Sequence, residues 1–122
     1  MKARLIMAGL LLAAMMPQVA QAQNVAAGET VFVRCKPCHQ VQANKNGIGP
    51  SLFGVYGRKA GLAPGYKFSD NLKASGQTWT EEELDKFLTS PKGLIPGNKM
   101  VFAGLPDATN RKNLIAYLKT LK

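Results

Sequence analysis

Apolar side chains are spread unevenly along this chain. From Leu5 to Met16 they run almost unbroken for 12 residues, behind the basic pair Lys2 and Arg4. Beyond that run they thin to helical spacing. Asn24 can cap a helix from about Val25 to Arg34, with Val31 and Phe32 turned inward. Ser69 can cap a short helix through about Ala74. Thr80-Glu81-Glu82-Glu83 reads as a capping box, opening a helix to about Thr89 whose apolar positions are Leu84, Phe87 and Leu88. A last helix starts at Pro106 or Asp107 and runs to about Leu121, its stripe made by Leu114, Ile115, Leu118 and Leu121. Between these stretches the period vanishes. Gln42 to Gly65 holds eight glycines and prolines, and Pro91 to Leu105 forms a second Gly/Pro-rich loop. The pattern predicts an all-α domain of four to five short helices and long loops, with no alternating strand.

The 122-residue length suits one domain. The basic start, short apolar run and small-residue pair Ala20 and Ala22 resemble a secretory signal peptide, cleaved so that residues 1–22 are lost and 23–122 form the mature domain. A run of 12 residues falls short of the roughly 20 that a spanning helix needs, and an uncleaved anchor is the alternative. The expected product is exported, soluble and without stable membrane insertion, and a bacterial-style signal points to the periplasm. The chain carries a formal charge of +9, and loss of Lys2 and Arg4 leaves it strongly basic. Export, and the lack of a basic run or recognition motif, argue against nucleic acid and toward acidic protein partners.

Chemistry concentrates in Cys35-Lys36-Pro37-Cys38-His39. Two cysteines two residues apart and a histidine directly after them read as a covalent haem attachment site. Each thiol can add to one vinyl group of the porphyrin edge, and one turn of chain sets the two sulfurs under neighbouring vinyls. His39 then lies under the iron and can bind it through a neutral imidazole. Both cysteines belong to this motif and sit too close together to staple much chain as a disulfide. A haem wrapped by the loops also supplies apolar mass to a small, glycine-rich domain.

The opposite face of the iron needs its own ligand. The mature chain has no second histidine, which leaves Met100, a lysine, a tyrosine, water or no ligand at all. An isolated methionine fills a core gap more often than it binds a metal. Met100, however, is the only methionine of the mature chain and sits in the polar loop Ile95-Pro96-Gly97-Asn98-Lys99-Met100. That setting favours it as the second axial ligand.

With these motifs go Gly49-Pro50-Ser51-Leu52, Gly54-Val55-Tyr56-Gly57-Arg58-Lys59-Ala60-Gly61, Thr78-Trp79, Ser90-Pro91-Lys92, Phe102-Ala103-Gly104 and Leu114-Ile115-Ala116-Tyr117-Leu118. In this order and spacing the chain from about Asn24 to Lys122 resembles class I cytochrome c. The resemblance implies the cytochrome c fold around one covalent haem c, in a small monomeric electron carrier rather than an enzyme. It implies that Cys35 and Cys38 form the thioethers and that His39 and Met100 are the axial ligands. Pro50 resembles the proline whose carbonyl holds the histidine ring. Arg58 and Trp79 resemble the pair that holds a buried haem propionate, and Phe102 the aromatic beside the exposed haem edge. Gly28 and Phe32, with Leu114 and Tyr117, resemble the crossing of the first and last helices.

Some positions depart from the family pattern. Phe87 stands where many members carry a tyrosine that hydrogen-bonds the methionine sulfur, and Asn98 replaces a common threonine. Leu72 takes a frequent asparagine position. Phe68 stands where a propionate-binding tyrosine is usual, with Tyr66 as the candidate replacement. The short spacing from Phe32 to Cys35 favours a bacterial branch.

The expected function is one-electron transfer through weak, brief contacts, with Arg34, Lys36, Lys92 and Lys99 steering acidic faces of redox proteins toward the haem edge. A haem peroxidase or gas-binding protein is the alternative if Met100 is labile. A thiol–disulfide oxidoreductase using Cys35 and Cys38 needs alternating strands and helices that the pattern lacks. A structural zinc site wants one ligand more than the motif offers.

Overall fold

Side-chain caps set the start of every helix. In the computed structural model, which describes residues 9, 13–15 and 23–122, the order is α1 (Val25–Phe32), α2 (Asp70–Ala74), α3 (Glu81–Thr89), α4 (Pro91–Leu94) and α5 (Ala108–Lys119). The proposed leader and its cleavage site fall outside the described residues, apart from a few isolated positions. Asn24, Ser69, Thr80, Ser90 and Asp107 each accept a hydrogen bond from a backbone N–H of the first turn they precede, satisfying donors that the helix itself cannot.

Four departures from expectation have local causes. α1 ends at Phe32 rather than Arg34, because residues 33–35 bond three positions back and tighten the chain into turns. The Thr80 capping box is half formed: Thr80 accepts from the Glu83 N–H, but the Thr80 N–H bonds the Thr78 carbonyl and Glu83 turns to Lys86. The loop after Pro91 begins with a helix, α4, because Pro91 sits at its first position with Ser90 as the cap. α5 stops at Lys119, two residues short of Leu121.

Among the described residues there is no strand. An isolated antiparallel bridge joins Lys59 to Thr78. α5 packs chiefly on α1 and also on α3, which in turn meets α4. At the α1–α5 crossing a Cβ added to Gly28 would lie 1.9 Å from the Asn113 carbonyl oxygen. Only glycine lets the backbones come this close. Just beyond, the Phe32 and Tyr117 rings meet at 5.1 Å between centroids, and the Asn113 side chain accepts from the Asn24 N–H. The expected crossing of Gly28, Phe32, Leu114 and Tyr117 is therefore present. Phe32, Leu114, Ile115 and Leu118 continue inward into a core completed by Leu84, Leu88, Ile95 and Leu105.

Candidate haem site

The turns that follow α1 carry the Cys-x-x-Cys-His motif to the edge of this core. The Cys35 N–H bonds the Phe32 carbonyl at 2.8 Å, and the His39 N–H bonds the Cys35 carbonyl at 2.9 Å. The motif is thus a wound extension of α1, fixed to the α1–α5 crossing. Cys35, Cys38 and His39 all line one cleft of about 240 Å³, with Phe32, Leu72 and Leu84 among its apolar walls.

The loop from Asn46 to Leu52 holds His39 from behind. Its Gly49 N–H bonds the Cys38 carbonyl at 2.8 Å, and its Leu52 N–H bonds the Gln40 carbonyl at 2.9 Å. The Pro50 carbonyl then lies 2.7 Å from His39 Nδ1. A carbonyl can only accept, so Nδ1 carries the proton and Nε2 is left as the nitrogen for a metal. Burial holds the His39 pKa below the usual imidazole value, only partly opposed by the Pro50 bond, so the ring is neutral and ready to ligate. Gly49 is a requirement that sequence reasoning missed. A Cβ there would sit 2.6 Å from His39 Cε1, so the bare backbone makes room for the ring.

The Cys35 thiol is withdrawn from water. Burial pushes Cys35 up to about 11, with Cys38 adding to the rise and Arg34 opposing it. A thiol–disulfide catalyst needs the opposite, a lowered pKa and a standing thiolate.

The second loop brings the sulfur. Met100 lines the same cleft and is half-buried. Asn98, which sequence reasoning left out of the site, is 4 % exposed and organises this turn. Its Nδ2 donates to the Ile95 carbonyl at 2.8 Å and its Oδ1 accepts from the Met100 N–H at 2.9 Å. Phe102 also lines the cleft and is half-buried, whereas Val101 between them is 96 % exposed. Phe87, at the position of the missing tyrosine, packs its ring 4.9 Å from that of Trp79.

Arg58 and Trp79 are brought together by backbone pairing. The Trp79 N–H bonds the Arg58 carbonyl at 2.9 Å, and the Gly57 N–H bonds the Trp79 carbonyl at 2.8 Å. Both line the cleft. One N–H of Arg58 goes to the Phe53 carbonyl at 3.0 Å. The guanidinium has five donors, so the fork retains capacity for a carboxylate. Burial draws the Arg58 pKa down, which favours a negative partner there. Tyr66 does not stand in for the missing propionate tyrosine, because its hydroxyl donates to the Ile48 carbonyl at 2.9 Å. Of the four basic residues expected near the haem edge, Arg34 and Lys99 line the cleft. Lys36 is exposed away from it, and Lys92 Nζ turns back to the Asn98 carbonyl at 3.4 Å.

An apolar cleft with two adjacent thiols, an oriented imidazole, a thioether and a half-buried arginine fits haem c, because each donor has a counterpart on that group. Comparison with known proteins agrees. The family model for cytochrome c matches residues 25–122. Cytochrome c2 iso-2 of Magnetospirillum molischianum is 62 % identical over 91 residues, covering 75 % of this chain and 94 % of that one. Cytochrome c2 of Blastochloris viridis is 44 % identical over 117 residues, covering 95 % of this chain and 92 % of that one. Among solved structures, cytochrome cH from Methylobacterium extorquens superimposes with a TM-score of 0.76 at 52 % identity, covering 80 % of this chain and 98 % of that one. These relatives lend no support to the peroxidase or gas-binding alternative. The chain belongs to the cytochrome c family, the one-electron carriers that hold a single covalently attached haem c.

Proposed function

We propose that the mature chain, residues 23–122, is a periplasmic electron carrier whose haem is held by Cys35, Cys38, His39 and Met100. The observation that carries this reading is the convergence of those four side chains on one apolar cleft. The start of the family match at residue 25, just past the small-residue pair Ala20 and Ala22, supports removal of the leader. Among the described residues no helix is long and apolar enough to cross a membrane.

When bound, the haem supplies the ferric–ferrous couple. The chain's residues set how it behaves. Cys35 and Cys38 fix its edge. His39 offers Nε2, made more basic by the Pro50 carbonyl on the other ring nitrogen. Met100 offers a soft, neutral sulfur that favours the reduced metal and raises the potential. With His39 and Met100 both holding the iron, oxygen and peroxide would find no ligand place, and the chain would transfer electrons without catalysing their chemistry. Arg58 and Trp79 would hold a propionate and shield its charge. Phe102 and the exposed Val101 flank the edge where a partner docks, and Arg34 and Lys99, which line the cleft, draw in acidic faces for brief contacts. The carrier works as a monomer.

The test is spectroscopic. Pigment should stay with the polypeptide in acid and organic solvent, and the ferric protein should show the weak far-red band of sulfur–iron bonding. Met100→Ala should abolish that band and lower the reduction potential. Extractable pigment overturns the thioether assignment, and an unchanged band overturns Met100 as the ligand.

A further inference from the structure

The segment carrying the Met100 sulfur has little backbone support. Among the described residues, no backbone-to-backbone hydrogen bond reaches residues 99–104. The Met100 N–H is held by the Asn98 side chain, and Asn98 is anchored to the Ile95 carbonyl. That bracket is internal to the loop. It shapes the turn but does not fasten it to the rest of the molecule.

Two side-chain bonds fasten it to the segment around α2, beside the longer 3.4 Å contact of Lys92 Nζ with the Asn98 carbonyl. Asn71, in the first turn of α2, donates through Nδ2 to the Pro96 carbonyl. Lys99 Nζ donates to the Lys67 carbonyl at 3.0 Å. The Asn71 contact has a second signature. Gly97 has φ +78°, and a Cβ there would lie 2.5 Å from Asn71 Nδ2. The Pro96–Gly97 turn is therefore shaped to admit the asparagine amide. The lysine tether immobilises a long, exposed side chain, which loses more rotamer freedom on being held than an asparagine does. The short amide in a fitted turn is the stronger of the two.

We infer that Asn71 is a positioning residue, an amide latch between α2 and the Pro96–Gly97 turn that sets how readily Met100 leaves the iron. The inference rests on the reading of Met100 as the axial ligand. Neither Asp70 nor Leu72, its neighbours on α2, can do this work. Asp70 pairs with Lys73 on the helix surface, and Leu72 is buried against the core.

The test uses ferric holoprotein and imidazole as an incoming ligand. At saturating imidazole the binding rate is limited by release of the sulfur. Asn71→Ala should raise that limiting rate about two- to tenfold, the range for loss of one side-chain hydrogen bond. Amide hydrogen exchange at Met100, whose N–H is held by Asn98, should accelerate by a similar factor. Asn71→Asp keeps the shape and suits a helix start but cannot donate, so it should behave like Asn71→Ala, and it carries the test if the alanine variant folds poorly. Lys73→Ala removes an exposed ion pair from the same helix without touching the loop, and should leave both rates unchanged. A wild-type ferric spectrum without the far-red sulfur band overturns the Met100 assignment. The band present, with wild-type limiting rates in both Asn71 variants, overturns the latch alone.

Discussion

Replacing Gly28 with alanine sets two physical effects against each other. In an isolated helix the change is favourable by about 1 kcal/mol, because glycine has more backbone freedom to lose. At the α1–α5 crossing the new Cβ would stand 1.9 Å from the Asn113 carbonyl oxygen and 2.9 Å from Tyr117 Cβ. An ordinary carbon–oxygen contact is about 3.3 Å, so the helices must part by more than an ångström. The obstacle is backbone, which cannot rotate aside as a side chain would. Overpacking of this kind costs about 3 kcal/mol at the upper end of its usual range. The steric term therefore wins, for a net loss of about 2 kcal/mol. For a domain of this size that is a fall in Tm of about 8–16 °C. Guanidinium unfolding of the ferric protein, followed by Trp79 fluorescence, measures the loss. Ala26→Gly on the exposed side of the same helix gives the propensity scale in place, and should lose about 1 kcal/mol. A Gly28→Ala protein as stable as the parent, or more so, would refute the reasoning.

Two further outcomes can be checked. Gly49→Ala should displace the His39 ring from the Pro50 carbonyl, because the new methyl needs the space 2.6 Å from Cε1, and the yield of stably ligated, low-spin pigment should drop relative to the parent. Association with an acidic redox partner should slow steeply between low and physiological salt, as screening shortens the reach of Arg34 and Lys99 at the cleft; a rate independent of salt removes steering from the mechanism.

What the chain made legible follows from the range of each interaction. Caps at Asn24, Ser69 and Thr80 were readable because donor and acceptor lie within one turn of each other. The Cys-x-x-Cys-His motif was readable for the same reason, its chemistry being packed into five residues. Pro91 misled because a proline ends one helix and begins another with equal ease, and the serine before it decided the matter by capping Gly93. Asn71 left no trace, since its bond runs to a carbonyl with no signature of its own, and Asn98 showed only as a departure from threonine, not as the residue that holds the Met100 N–H. Gly49 lay in full view within a loop full of glycines, and only the position of the His39 ring separates it from its neighbours. The three polar family positions taken by Phe87, Phe68 and Leu72 became apolar wall, and the hydroxyl of Tyr66 went to the chain of Ile48 instead.

The marriage of α1 with α5 has a bearing on biogenesis. Residues 33–107 separate the two helices, and closing so long a span costs little more entropy than closing half of it. Synthesis runs from the amino end, so Cys35 and Cys38 leave the ribosome before their clamping helix has been made. Until α5 arrives, the helix that packs on α1 is missing, and the segment that bears the sulfurs lacks its support. The carboxyl-terminal helix is the closing stitch, completing the frame of the cleft only once the whole chain is present.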